Sequence, residues 1–114
     1  DLNGISTYIF DEIDAGISGQ TAKVVAEKLA RIAKGTQVIA VSHLAQIAAM
    51  SDREFLIKKQ ETDGKTTTQV TALNQNEQIN EIVRLLGGTE KDEFAVKHAE
   101  ELLKQAKDYK TTIK

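Results

Sequence analysis

The chain has 114 residues, a formal net charge of −2 and 40% hydrophobic residues, which is typical of one globular domain with a single hydrophobic core. It has no Cys, which excludes disulfides, cysteine nucleophiles and thiolate metal sites, so any chemistry must come from carboxylates, His, Lys or hydroxyl groups. Aromatic residues make up only 4% and the charges nearly balance, which argues against stacking on single-stranded nucleic acid and against a basic nucleic-acid surface.

Nothing in the sequence predicts contact with a membrane. No apolar run approaches the ~18 residues that a spanning helix needs, and the N-terminus has no basic segment followed by an apolar one. We therefore expect a cytoplasmic protein.

The first predicted element is a buried strand from Thr7 to Phe10, which ends in Asp11 and Glu12. Four β-branched or aromatic residues followed by charge are typical of a parallel strand that stops at the functional edge of its sheet. Two adjacent carboxylates cannot both lie in a core, so we expect both at that edge.

A helix and a second strand follow. The helix is predicted to have Ser18 as its N-cap, Gly35 as a left-handed C-terminal stop, and an apolar face formed by Ala22, Val25, Ala26, Leu29 and Ala33. The apolar segment 37–41 is the second strand. Strand, helix and strand form a βαβ unit, whose strands are parallel and whose crossover is almost always right-handed. The strand ends at Asp11 and His43 should then share the sheet edge where ligands of open α/β sheets bind.

The rest of the chain predicts a short helix over 44–50, an antiparallel hairpin around Asp63–Gly64, and two final helices. The first of these carries an apolar stripe and ends at Gly87–Gly88. Thr89 and Asp92 resemble a capping box for the second. The stripes consist of Ile79, Ile82, Val83 and Leu86 in the first helix, and Ala95, Ala99, Leu102, Ala106 and Tyr109 in the second. The fold class is therefore α/β, with a parallel βαβ core, a hairpin and C-terminal helices.

Asp11 and Glu12 are the strongest candidates for chemistry. In a nucleotide-hydrolysing site the first carboxylate holds Mg²⁺ and the second orients and deprotonates the attacking water. A solvated strand end beside a Lys or Arg would look the same in sequence. His43 favours the functional interpretation, because a second strand end delivers it to the same edge, within reach of a phosphate.

Three other patterns are weaker. Gly64-Lys65-Thr66 repeats the end of a phosphate-binding loop, but that motif needs Gly at position 59, where the chain has Lys59, and the context is a hairpin. His98 lies beside the apolar stripe of the last helix and is interpreted as a packing or surface residue. A metal-dependent nuclease or phosphatase built on Asp11, Glu12 and Asp14 would lack a second carboxylate cluster.

Four segments resemble the RecN family, whose members are similar to the structural-maintenance-of-chromosomes (SMC) ATPases. Residues 8–22 (YIFDEIDAGISGQTA) resemble its Walker B and D-loop region, and residues 38–48 (VIAVSHLAQIA) resemble its switch-histidine segment. Residues 84–88 (RLLGG) and 98–103 (HAEELL) resemble its C-terminal end. The similarity spans nearly the whole chain.

The resemblance implies that residues 1–114 are the C-terminal lobe of an ATP-binding-cassette-type ATPase head from a protein of DNA double-strand-break repair and recombination. It implies Asp11 as the Mg²⁺-linked carboxylate, Glu12 as the general base and His43 as the γ-phosphate contact. The D-loop falls at Ala15, Gly16, Ile17 and Ser18. ATP and Mg²⁺ would be the cofactors.

The implied partners are the N-terminal half of the same head, a second head in a nucleotide-dependent dimer, and DNA through the full-length protein, with a nucleoid-associated location. Walker A, the signature motif and the coiled coil are absent from this sequence, so the segment alone is expected to be inactive. Ser18 replaces the Asp that ends many D-loops, and Ala45 replaces an expected Pro. The alternative is a non-catalytic dimerisation or interaction module of the same protein.

Overall fold

The computed structural model describes residues 7–11, 16–17 and 19–113. Four strands and four helices follow one another in these residues: β1 (Thr7–Asp11), α1 (Gly19–Ile32), β2 (Gln37–Val41), α2 (Ala45–Met50), β3 (Phe55–Thr62), β4 (Lys65–Ala72), α3 (Gln75–Leu85) and α4 (Glu93–Thr112). Among the described residues, no helix is both long and apolar enough to cross a membrane.

The predicted βαβ unit is confirmed. β1 and β2 are paired in parallel, with a register that runs from Thr7 opposite Gln37 to Asp11 opposite Val41. α1 connects them and buries Ala22, Ala26 and Ala30. Ala30 replaces Ala33 in the predicted apolar face, since Ala33 lies beyond the end of the helix and is half-buried.

The core lies between helices and is built mainly from small side chains. Its largest fully buried members are Ile82 and Val83 on α3, and the alanines of α2 and α4 pack around them: Ala45, Ala49, Ala99 and Ala106. Alanine side chains let helix backbones approach closely, and α2 contacts α1, α3 and α4. The short α2 helix is therefore held from three sides.

The predicted hairpin is also confirmed. β3 and β4 pair antiparallel from Phe55 opposite Ala72 to Thr62 opposite Lys65. The two connecting residues, Asp63 and Gly64, have φ of 53° and 76°. Two positive φ values in succession form the turn that matches the twist of a two-residue hairpin.

The C-terminal end of α3 forms a Schellman motif at the predicted glycines. Gly88 N donates to Val83 O at 3.0 Å and Gly87 N donates to Arg84 O at 3.0 Å. Gly87 has φ of 85°, the left-handed conformation that this motif requires. The N-terminal end of α3 has a capping box between Asn74 and Glu77, which the sequence analysis missed.

Two predicted caps are wrong. Gly35 is outside the left-handed region, because the end of α1 tightens into bonds from Lys34 N to Arg31 O and from Gly35 N to Ile32 O, which satisfy those carbonyls. Thr89 does not cap α4. Residues 89–92 form a turn of their own, and the carboxylate of Asp92 accepts from Phe94 N and Ala95 N instead. The predicted N-cap of α1, Ser18, lies outside the described residues.

The two helix-terminal glycines make a matched pair for mutation. Gly87→Ala should lower the free energy of unfolding by about 1–2 kcal/mol, because a Cβ is unfavourable at φ of 85°. Gly35→Ala should change it by less than about 0.5 kcal/mol, since a Cβ there meets nothing within 4 Å and φ is not left-handed. Urea unfolding of both variants measures the difference. Equal losses would contradict the Schellman assignment.

Candidate functional site

Asp11 and the residues that follow β2 lie at one edge of the parallel sheet. Asp11 is paired with Val41, the last residue of β2, and His43 follows two residues later. Paired strands are about 5 Å apart and two residues span at most about 7 Å, so the Cα atoms of Asp11 and His43 are less than about 12 Å apart. The structure therefore brings these two candidates to the same edge, while their chemical roles stay predictions.

Both residues are exposed, as a ligand-binding edge requires. Neither lies in the helical core, whose buried residues are all apolar in the part of the chain that the structure describes. Glu12, the candidate general base, lies outside the described residues, as do Asp14 and the D-loop positions Ala15 and Ser18.

The two described D-loop candidates are Gly16 and Ile17. Gly16 has φ of 72°, the left-handed region that favours glycine, and it is exposed with open space around its Cα. Ile17 is half-buried. Gly16 therefore turns the chain between β1, which ends at Asp11, and α1, which begins at Gly19.

Ser42 is a residue at this edge whose contact the sequence analysis did not identify. Its Oγ accepts a hydrogen bond from Leu44 N at 3.0 Å, so the side chain closes a turn whose central residue is His43. Leu44 is the N-cap of α2 and makes no side-chain cap of its own. A Ser two residues before a helix cap is a known signal for such a turn.

The weaker sequence patterns do not add to this site. Lys65 and Thr66 lie in β4, opposite Thr62 and Glu61, so the partial phosphate-loop match is part of a hairpin and not a strand-to-helix turn. His98 is exposed on α4. Within the described residues, no three His, Asp or Glu side chains are grouped so that they could hold a metal ion.

One carboxylate with perturbed acidity lies away from the edge, where the hairpin meets α3. Glu54 precedes β3, and its Oε1 is buried without a hydrogen-bond partner among the described residues. Burial raises the pKa of Glu54 to about 7, the negative charge of Glu81 adds to the rise, and a hydrogen bond with Gln78 and the charge of Arg84 oppose it. Arg84 forms a bidentate ion pair with Glu81, with both N–O distances at 2.6 Å.

The raised pKa of Glu54 predicts a pH-dependent stability. The folded chain holds this proton more tightly than the unfolded chain, so the free energy of unfolding should decrease as pH rises from about 4.5 through about 7. Glu54→Gln should remove this dependence and stabilise the chain at pH 8 by about 1 kcal/mol, a value reduced for solvent screening. Urea unfolding at pH 4.5 and 8 measures both differences.

Glu61→Gln is the matched control, because Glu61 is exposed on the hairpin and its loss should change stability little at either pH. A gain for Glu54→Gln that is the same at pH 4.5 and 8 would contradict the assignment to a buried, titrating carboxyl.

Comparison with known proteins identifies close sequence relatives. No family model matches the chain. It is 44% identical over 108 residues to DNA repair protein RecN of Bacillus subtilis, covering 95% of this chain and 19% of that protein. It is 45% identical over 111 residues to DNA repair protein RecN of Halalkalibacterium halodurans, covering 97% of this chain and 19% of that protein. The chain thus spans about a fifth of the length of these relatives.

A solved structure supports the fold. A chain from a study of ATP-driven dimerization and DNA-stimulated activation of SMC ATPases matches with a TM-score of 0.59 and 23% sequence identity. The match covers 77% of this chain and 52% of the other. The described α/β architecture is therefore similar to part of the fold of that chain.

Proposed function

Since this chain belongs to the RecN family, we propose that it is the C-terminal lobe of an ATPase head of the cassette and SMC type, with residues 1–114 as one lobe. The full-length protein would hydrolyse ATP and act in DNA double-strand-break repair and recombination in the bacterial cytoplasm, associated with the nucleoid. The support is 44–45% identity to RecN over nearly the whole chain and the structural likeness to an SMC ATPase.

The observation that carries the proposal is the convergence of Asp11 and His43 on one sheet edge. In this proposal Asp11 is the Mg²⁺-linked carboxylate, and Glu12, the next residue, is the general base that takes a proton from the attacking water. His43 donates a hydrogen bond to the γ-phosphate from the neighbouring strand end. Catalysis would then depend mainly on positioning by the two strands.

The residues present fit a Mg²⁺–ATP site to which this chain contributes one part. Mg²⁺ in nucleotide sites is held by one or two carboxylates together with phosphate oxygens and water, so one exposed carboxylate at the edge is what this chain needs to supply. The metal ion would neutralise charge on the phosphates. The Walker A loop of the N-terminal half would bind the triphosphate. Without that loop, this chain alone should be nearly inactive.

The exposed face of the β1–β2 sheet supports docking of that N-terminal half. Ile9 is 70% exposed and lies opposite Ile39, which is 45% exposed, while Val41 on the same face is 39% exposed. Parallel strands are normally covered on both faces. A sheet of two parallel strands with an apolar face open to solvent is suited to further sheet or helix from another part of the protein.

The D-loop residues would act between heads. In the sequence, Ala15, Gly16, Ile17 and Ser18 lie between β1, which ends at Asp11, and α1. Contact of this loop with a second head would couple the nucleotide state to head dimerisation, and through the full-length protein to DNA. The solved relative comes from work on ATP-driven dimerization of SMC ATPases, which supports this arrangement.

The general-base assignment predicts a loss of turnover without a loss of binding. In a full-length RecN protein that carries this segment, Glu12→Gln should reduce ATP turnover by about 100-fold or more, because the amide cannot accept the proton from water. Mg²⁺-dependent ATP binding should stay within about threefold of wild type. Steady-state phosphate release and equilibrium nucleotide binding measure the two effects.

Glu61→Gln again serves as the control, since it makes the same chemical change on the exposed hairpin and should leave turnover unchanged. If Glu12→Gln hydrolyses ATP as fast as wild type, Glu12 is not the base. If the wild-type protein shows no Mg²⁺-dependent nucleotide binding, the alternative of a non-catalytic interaction module is favoured.

The docking proposal predicts a loss of assembly. Ile39→Asp should reduce co-purification of this lobe with a separately expressed N-terminal half by at least about tenfold, because a carboxylate would be buried in an apolar contact. Phe94→Asp is the matched control, since Phe94 is 87% exposed on α4, away from the sheet. Equal co-purification of wild type and Ile39→Asp would contradict docking at this face.

A further inference from the structure

We propose that Ser42 is a positioning residue for His43, and that its hydroxyl sets the direction of the imidazole toward the bound phosphate. The inference rests on the proposed function of His43. It goes beyond that function because Ser42, which would not itself contact ATP, would orient the imidazole of His43.

His43 is the middle residue of a three-residue link between two fixed segments. On one side, Val41 ends β2 and is held in the sheet by its pairing with Asp11. On the other side, Ala45 begins α2 and is buried in the helical core. Ser42 and Leu44 flank His43 directly. The orientation of the imidazole therefore depends on the backbone of this short link.

The hydrogen bond from Leu44 N to Ser42 Oγ closes that link. At 3.0 Å it spans His43 and restricts the backbone torsions of the residue at its centre. Leu44 itself is extended, with φ of −93° and ψ of 126°, and provides no side-chain cap. The serine oxygen thus satisfies an N–H group at the start of α2 that the helix cannot satisfy internally.

The far end of α2 is also fixed, so movement in the link could not be absorbed by the helix. Ser51 Oγ donates to Ala48 O at 2.6 Å, and Lys110 of α4 binds the carboxylate of Asp52 at 3.0 Å. With α2 held at both ends and by its core contacts, the hydrogen bond to the Ser42 hydroxyl restricts the backbone that carries His43. Its loss should misplace the imidazole without displacing the helix.

The expected effect appears in kcat. In the full-length protein, Ser42→Ala should lower kcat by about 3- to 10-fold, because a catalytic group displaced by a fraction of an ångström to 1 Å loses much of its contribution. The KM for ATP should stay within twofold of wild type. Ser42→Thr retains the hydroxyl and should restore at least half of the wild-type kcat, which separates the loss of the hydrogen bond from the loss of the fold.

The test is a double-mutant cycle of ATP turnover with wild type, Ser42→Ala, His43→Ala and the double variant. If Ser42 acts through His43, Ser42→Ala should cause no further loss in the His43→Ala background. The inference is overturned if Ser42→Ala keeps kcat within twofold of wild type, if Ser42→Thr loses as much as Ser42→Ala, or if the losses multiply in the double variant.

Failure of the proposed function is distinguishable from failure of this inference. If His43→Ala alone leaves turnover unchanged, the γ-phosphate role of His43 is wrong and the positioning role of Ser42 falls with it. If His43→Ala lowers turnover and Ser42→Ala does not, the proposed function stands and only the role of Ser42 is wrong.

Discussion

The parallel pairing of β1 with β2 is the constraint on which the candidate site depends. Backbone hydrogen bonds along five residue pairs fix Asp11 opposite Val41, and this register determines which side chains emerge at the carboxyl edge of the sheet. In an antiparallel pair the end of β1 would meet the start of β2, and Asp11 and His43 would lie at opposite ends. The proposed site therefore depends first on the parallel direction of the two strands, which places Asp11 and His43 at the same edge.

The helical core next to that sheet differs from a large aliphatic core, because most of its buried side chains are alanines. The two largest fully buried side chains, Ile82 and Val83, are surrounded by alanines that allow helices to approach closely. α2 is only six residues long and would be unstable by itself, so its structure depends on contacts with three neighbouring helices. α2 begins at Ala45, two residues after His43, and Ala45 is buried in the helical core. The packing of the helices therefore fixes the end of the link that carries His43.

The exposed apolar residues on the β1–β2 sheet connect the fold to its family membership. A domain of this size normally covers both faces of a parallel pair, yet Ile9 is 70% exposed. The chain also spans about a fifth of the length of its RecN relatives. The open face and the partial coverage support the proposal that this chain is one lobe of a composite head.

Sequence patterns alone predict the order of strands and helices, the βαβ unit, the hairpin turn at Asp63–Gly64 and the end of α3 at Gly87. These features follow from local periodicity and from the backbone preferences of Gly and Asp, which act over a few residues. The placement of Asp11 and His43 at one edge was also predictable, because the connection between two parallel strands leaves no other arrangement.

Other features depend on contacts between residues that are distant in sequence, and these could be seen only in the folded chain. Burial against α3, together with the charge of Glu81, raises the pKa of Glu54, and no pattern near position 54 reports on that neighbourhood. Asp92 caps α4 in place of Thr89, and α1 ends in a tightened turn at Gly35. At both helix ends the local sequence is compatible with several backbone conformations. The hydrogen bond between Ser42 and Leu44 is local in sequence. Its proposed effect on His43 depends on tertiary structure, because α2 must be held in the core for the turn before it to have a fixed position.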